Sequence, residues 1–157
     1  QQLKRFMQQS GPLRIDWMPE QYTGPGKVGL TIVPGRRDYG RSLQSDIQVI
    51  KREQIDAVIC LLANDEFARY GVDDLLAQYR EADLDVLHLP TIDRTPPSDV
   101  ALEMAMTWIG ERVSNGKRVL IHCVGGLGRA GTVAGCWLKQ QGLEGDAAIA
   151  CSRVSFC

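Results

Sequence analysis

One cysteine, one arginine and three glycines fall within seven residues, Cys123-Val124-Gly125-Gly126-Leu127-Gly128-Arg129, directly after His122. Those residue types at that spacing suit an anion trap with a nucleophile in it. Successive backbone N–H groups of a tight turn that runs into a helix N-terminus converge on an oxyanion. Glycine at 125, 126 and 128 admits the dihedrals and the close backbone approach that such a turn needs. Arg129 can fork onto two phosphoryl oxygens. The same N–H dipoles and guanidinium favour a thiolate at Cys123. A free thiol titrates near about pH 8.5, and settings of this kind bring it to roughly 3.5–7.5. A phosphoryl group bound by the loop would sit over a ready nucleophile.

Cys-x5-Arg alone is a weak signal, and the elements around it supply the specificity. Val119, Leu120 and Ile121 are a short apolar run suited to a central parallel strand. Ala130, Val133, Ala134, Trp137 and Leu138 recur at helical spacing, so a helix starts near Arg129. Upstream, Leu13, Ile15 and Trp17 alternate with polar residues and predict an edge strand, and Val28–Val33 predicts a second strand closed by Pro34-Gly35. Arg36, Arg37 and Arg41 follow. They read as a solvated charge cluster, with contact to a phosphorylated partner as the other reading. Ser42 caps a predicted helix that turns Leu43, Ile47 and Ile50 inward. The run Ala57–Leu62 predicts a fully buried strand. Asp73 caps a predicted helix carrying Leu75, Leu76 and Tyr79. Val86–Leu89 predicts another strand, with His88 as a core residue. Ser98 and Asp99 open a helix whose stripe runs from Ala101 to Val113 and which Asn115-Gly116 ends.

Helices alternating with short, wholly apolar strands predict an α/β fold: a central, mostly parallel sheet of four to five strands with helices on both faces. In such sheets ligands bind beyond the carboxyl ends of the strands. Cys60, Asp93 and Cys123 all fall at or just after predicted strand ends, on that one edge. The 157 residues are read as a single domain, 1–157, with residues 1–12 an exposed arm. A net charge of −1 gives no ground for nucleic-acid or membrane-surface binding. No apolar run approaches the roughly 20 residues that span a bilayer. Five cysteines without regular spacing suggest neither a disulfide framework nor a metal site. A reducing, cytoplasmic setting is expected, and no cofactor. The chain opens on Gln1 rather than Met, so a removed targeting segment stays open.

His122-Cys123-x5-Arg129 resembles the signature of the cysteine-dependent protein phosphatases. The Gly125-Gly126-Leu127-Gly128-Arg129 version looks most like the cyclin-dependent-kinase-associated branch of the dual-specificity group. The resemblance spans roughly residues 28–143. It implies the cysteine phosphatase fold, with Cys123 as nucleophile and Arg129 and the amides of residues 124–129 as the phosphate cradle. His122 would orient the loop and favour the thiolate. The route needs an acid to protonate the leaving oxygen, and the same group then activates water. Asp93 is the candidate: it lies in a loop after a predicted strand, and Pro90-Thr-Ile-Asp93-Arg-Thr95-Pro96 is similar to that branch's acid segment. Asp99 is the alternative, although an aspartate at a helix start has an ordinary dipole explanation. The resemblance also suggests Glu66 as a brace for Arg129. Cys60 would be a second cysteine able to trap an oxidised Cys123, against the plainer reading of a buried core residue.

Two departures from the family pattern stand out. Ala130 replaces the Ser or Thr whose hydroxyl helps the thiolate leave, which predicts a slow second step. The stretch after Leu143 is shorter than the family's further long helix. The loop has no Lys between Cys123 and Arg129, which favours phosphoprotein over phosphoinositide. The expected activity is therefore dual-specificity phosphoprotein hydrolysis without a metal, on a phosphorylated partner such as a kinase. The competing readings are a slow or inactive phosphosite-binding module, and a sulfur- or arsenate-transfer enzyme with the same loop.

Overall fold

The computed structural model describes residues 11–125 and 128–143. Five strands form one sheet: β1 (Asp16–Trp17), β2 (Lys27–Thr31), β3 (Ala57–Cys60), β4 (Asp85–His88) and β5 (Arg118–His122). Their spatial order is β1-β2-β5-β3-β4, with β1 antiparallel to β2 and every other pairing parallel. The helices are α1 (Leu43–Arg52), α2 (Glu66–Arg69), α3 (Leu75–Glu81), α4 (Asp99–Ser114) and α5 (Gly128–Gln140).

The wholly apolar strands are buried on both faces, as parallel strands between helices must be. Alternate residues divide between two cores. Ala57, Ile59, Leu61, Val119 and Ile121 pack with α4 and α5 through Ala105, Ile109, Val133 and Trp137. Val58, Cys60, Leu62 and Leu120 pack with α1 and α3 through Ile50, Leu75 and Tyr79. The chain steps outward from β2 to β3 to β4 through α1, α2 and α3 on one face. It then returns over β3 through α4 on the other face to place β5 centrally. That reversal puts the carboxyl end of β5 between those of β2 and β3, where open α/β sheets leave a crevice.

Local chemistry sets the boundaries. Ser42 and Ser98 cap α1 and α4, their hydroxyls accepting from Ser45 N and Ala101 N. Asp73 does not cap α3. Asp74 holds that position and makes no side-chain cap bond. At the edge, Gly29 lies opposite Trp17, and a Cβ there would come 2.7 Å from Ile15 Cγ2, so glycine lets the short β1 lie close. Leu13 is buried, yet only Asp16 and Trp17 pair as strand.

The three arginines read as a solvated cluster are mostly not solvated. The side chain of Arg41 is 3% exposed and makes a two-point pair with Asp46 at 2.9 Å on both arms. Asp46 also accepts from Gly35 N. Arg36 sits at the cavity described below. Of the predicted arm, residues 1–10 lie outside the described residues; Gly11 and Pro12 are exposed, and Gly11 O accepts from Arg41 Nη2. Residues 144–157, on which the expectation of a shortened C-terminal stretch rests, also lie outside them. No helix among the described residues is long and apolar enough to cross a membrane.

Candidate active site

β5 delivers the site. Its last residue, His122, is fully buried, and Cys123 follows with 2% exposure at the floor of a cavity of about 570 Å³. The loop base is pinned from both neighbouring strands. Leu61 N donates to His122 O on the β3 side, and Val33 N donates to Val124 O on the β2 side. Gly128 opens α5, so the free N–H groups of a 13-residue helix start at the loop's far end. Gly128, Arg129 and Gly125 line the cavity with Cys123. Gly126 and Leu127, the rest of the predicted cradle, lie outside the described residues.

Arg129 is buried although charged, and its partners explain how. Its two terminal nitrogens grip Glu66, Nη1 to Oε1 at 2.5 Å and Nη2 to Oε2 at 3.1 Å. Nη1 also donates to Thr91 O at 2.7 Å. Burial works against the charge, but the Glu66 hydrogen bonds and the fields of Cys123, Glu66 and Asp93 outweigh it and raise the guanidinium's pKa. Glu66 is itself 2% exposed and accepts from Ala63 N. Glu66 thus meets both terminal nitrogens of Arg129, a two-point contact that fixes the plane of the guanidinium. Arg129 Nε makes no hydrogen bond among the described residues, which leaves that edge for a phosphoryl oxygen.

Asp93 lines the same cavity. Its Oδ1 lies 3.5 Å from Arg129 Nη2 and accepts from Arg94 N at 3.0 Å. The side chain is 61% exposed. The structure thus brings Asp93 to Cys123 and Arg129 across 30 and 36 residues of chain. Asp99, the alternative acid, belongs to the first turn of α4 and is not among the residues lining the cavity.

His122 is held at both ring nitrogens. Its Nδ1 lies 3.0 Å from Cys123 O and its Nε2 lies 2.8 Å from Tyr79 Oη. A carbonyl can only accept, so Nδ1 carries the proton and Nε2 accepts from the Tyr79 hydroxyl. Burial pushes the His122 pKa down to about 4 and the Tyr79 pKa well up, which keeps both neutral. The resemblance suggested a histidine that orients the loop and favours the thiolate; in the structure the ring meets the carbonyl of Cys123 itself.

Cys60 is fully buried, in the core on the α1/α3 face, whereas Cys123 belongs to the core on the α4/α5 face. Burial pushes its thiol up to about 12. His88 is half-buried and bonds Leu62 O through Nε2 at 2.8 Å.

The sequence reading missed two contributors and held Arg36 only as one of three arginines, with contact to a phosphorylated partner as the second reading. Tyr79 was placed on the apolar face of α3, and its hydroxyl partner had no linear signature. Thr91 acts through its backbone carbonyl, which no residue type announces. Arg36 lines the cavity, and its clue was position: it follows a strand that ends at the same edge.

Residues 34–143 match the protein family described as "Polymorphic toxin system, DSP-PTPase phosphatase". The chain belongs to this family of dual-specificity and tyrosine phosphatases. Among curated proteins it is similar to cyclin-dependent kinase inhibitor 3 of Rattus norvegicus, 31% identical over 130 residues, and to that of Homo sapiens, 29% identical. Both matches cover 81% of this chain and 61% of the relative, so the chain spans about three fifths of their length. Among solved structures it is similar to a kinase-associated phosphatase whose catalytic-site cysteine is replaced by serine. That likeness has a TM-score of 0.85 and 26% identity, and covers 92% of this chain and 84% of that one. It is also similar to Tk-PTP in its active form, with a TM-score of 0.66, 36% identity and coverage of 83% and 80%. The five-stranded α/β architecture matches the fold of the first.

Proposed function

We propose that this chain is a phosphoprotein phosphatase that works through a cysteinyl-phosphate intermediate. The observation that carries the proposal is the meeting of Cys123, Arg129 and Asp93 in one cavity. The phosphoryl group docks on the loop amides, the N-terminus of α5 and Arg129. The Cys123 thiolate attacks phosphorus while Asp93 protonates the departing oxygen. Asp93 then takes a proton from water, which attacks the thiophosphate and releases phosphate. A thiol nucleophile with a guanidinium electrophile supplies every charge these steps need, so no metal or cofactor is called for. The cavity is open to solvent, which suits phosphoserine, phosphothreonine and phosphotyrosine alike. The relatives named as a kinase inhibitor and a kinase-associated phosphatase support a phosphorylated protein partner, a kinase among the candidates. The cysteine usage supports a reducing, cytoplasmic setting.

The test is hydrolysis of para-nitrophenyl phosphate with chelator present. Wild type turns over, Cys123→Ser does not, and Asp93→Asn falls by about 10²- to 10⁴-fold, the usual worth of general acid catalysis. Ala130, fully buried where the family carries a hydroxyl, favours a second reading: a phosphosite-binding module. Vanadate binding by a wild-type chain that shows no turnover would establish that reading instead.

A further inference from the structure

Arg36 has chemistry that the catalytic scheme does not use. It follows β2 at the edge where Cys123 lies, and it forms part of the same cavity wall. Asp38 binds it at two points, Nε at 2.8 Å and Nη2 at 3.1 Å. Its guanidinium carbon lies 3.8 Å from the centre of the Tyr39 ring and 5.0 Å from that of Tyr70. The side chain is 13% exposed, so a charged fork is held rigid at the mouth of the site. With Nε and Nη2 turned to Asp38, the remaining arm, Nη1, reaches Gly125 in the phosphate loop. A Cβ on residue 125 would lie 2.5 Å from that nitrogen, so a side chain there would have to displace the arginine. Nη1 has no hydrogen-bond partner among the described residues.

A purely structural buttress for Gly125 would be cheaper as an apolar side chain, because a half-buried guanidinium must be desolvated. Asp38 does not cancel the arm's usefulness: it is 52% exposed, where its field is screened, and it occupies the other edge of the fork. Arg129 is committed to the scissile phosphate. Arg94 lines the cavity but is exposed, so Arg36 is the held cation on its wall.

We propose that Arg36 is a specificity-determining residue: it forms a second anion subsite that reads a phosphate or carboxylate close to the phosphorylated residue of a peptide substrate. The inference rests on the phosphatase reading for its substrate class, but binding tests it separately from turnover. The chain without lysine in its phosphate loop, with one such arm beside the cavity, fits two adjacent charges on a peptide rather than the densely charged headgroup of a phosphoinositide.

The experiment uses Cys123→Ser as the trap. Its affinity is measured by fluorescence anisotropy for one peptide carrying a single phosphothreonine and for a set with a second phosphate one to three residues to either side. The best doubly phosphorylated peptide binds about tenfold tighter or more. In Cys123→Ser/Arg36→Met, which keeps an unbranched chain against the tyrosines, that preference falls to about twofold or less, and Arg36→Lys restores part of it. Single-phosphate affinity serves as the folding control. A preference absent from Cys123→Ser, or unchanged by Arg36→Met, overturns the subsite. Tighter binding of a soluble phosphoinositide bisphosphate than of any doubly phosphorylated peptide overturns the peptide assignment. Para-nitrophenyl phosphate turnover by the wild type, scored separately, decides the phosphatase reading.

Discussion

Arg129 carries its charge in a buried position because Glu66 is there to meet it, and neither residue makes sense alone. Removing one partner leaves the other unpaired, a cost of about 3–5 kcal/mol for a buried pair. Glu66→Ala should therefore lower unfolding stability by about that amount and abolish phosphate binding, read by denaturant unfolding and by phosphate inhibition. Glu66→Gln keeps hydrogen-bonding capacity and should fall between that variant and wild type. Ala130 makes a kinetic prediction. Nearby Thr132 lines the cavity, but its hydroxyl donates to Gly128 O at 2.9 Å, so it does not replace the missing hydroxyl. Phosphoenzyme hydrolysis should then limit turnover. Rapid mixing with para-nitrophenyl phosphate should show a burst approaching one equivalent, and Ala130→Ser should raise the steady rate and lower the burst amplitude as hydrolysis catches up with phosphorylation. Turnover with no burst would remove the argument. The meeting of Cys123, Arg129 and Asp93 at one sheet edge was legible in the sequence because a strand, glycines and a helix frame the first two and a strand-end loop carries the third. Tyr79 and Thr91 were not, because a core phenol and a loop carbonyl look the same whether or not they serve a site.

The element that joins the two halves of the site is the loop between β4 and α4. Thr91 N donates to Leu61 O, Thr91 O accepts from Arg129, and the Thr91 hydroxyl donates to Leu89 O. The loop that carries Asp93 is thus anchored on Arg129 two residues before the aspartate. Just after it, Arg94 adopts a left-handed backbone with φ 66°, and Arg94 N donates to Asp93 Oδ1. A residue with a Cβ pays roughly 1–2 kcal/mol for that conformation. Glycine gives back about 0.5–1 kcal/mol through the entropy of the unfolded chain. Arg94→Gly should therefore stabilise the protein by up to about 1 kcal/mol, measured as a shift in the denaturant midpoint. Asp83→Gly, at φ 62° far from the cavity, should give a similar gain and is the matched control for effects on activity. The sequence showed this loop as Pro90–Pro97 because proline and threonine punctuate it. The helix boundaries were less legible: α2 is a single turn too short for periodicity to reveal. The cap of α3 fell to Asp74 rather than Asp73 because neither side chain makes the bond that would distinguish them.

At the scale of the whole molecule, the sheet order follows from where the chain had to return. Alternation of short apolar strands with helices was enough to read the layers. The insertion of β5 between β2 and β3 was not, because long-range pairing leaves no local pattern. That insertion has a thermodynamic consequence. It carries His122 into the centre of the sheet, where the ring bridges α3 and the Cys123 carbonyl and no water reaches it. Folded, His122 holds a pKa of about 4; unfolded, it returns to its ordinary 6.5. Between those values the unfolded chain binds a proton that the folded chain refuses. Stability therefore rises with pH across that window and falls on acidification. At about 1.4 kcal/mol per pH unit, the loss between pH 6.5 and 5 is about 2 kcal/mol from this one group. Urea unfolding at pH 7 and pH 5 should show that loss in the wild type, and His122→Asn should remove it while being less stable at pH 7, where it forfeits the bond to Tyr79. The two proteins should converge as pH falls. Parallel pH profiles would mean that the ring is protonated in the folded state, and the neutral bridge between Tyr79 and Cys123 O would have to be abandoned.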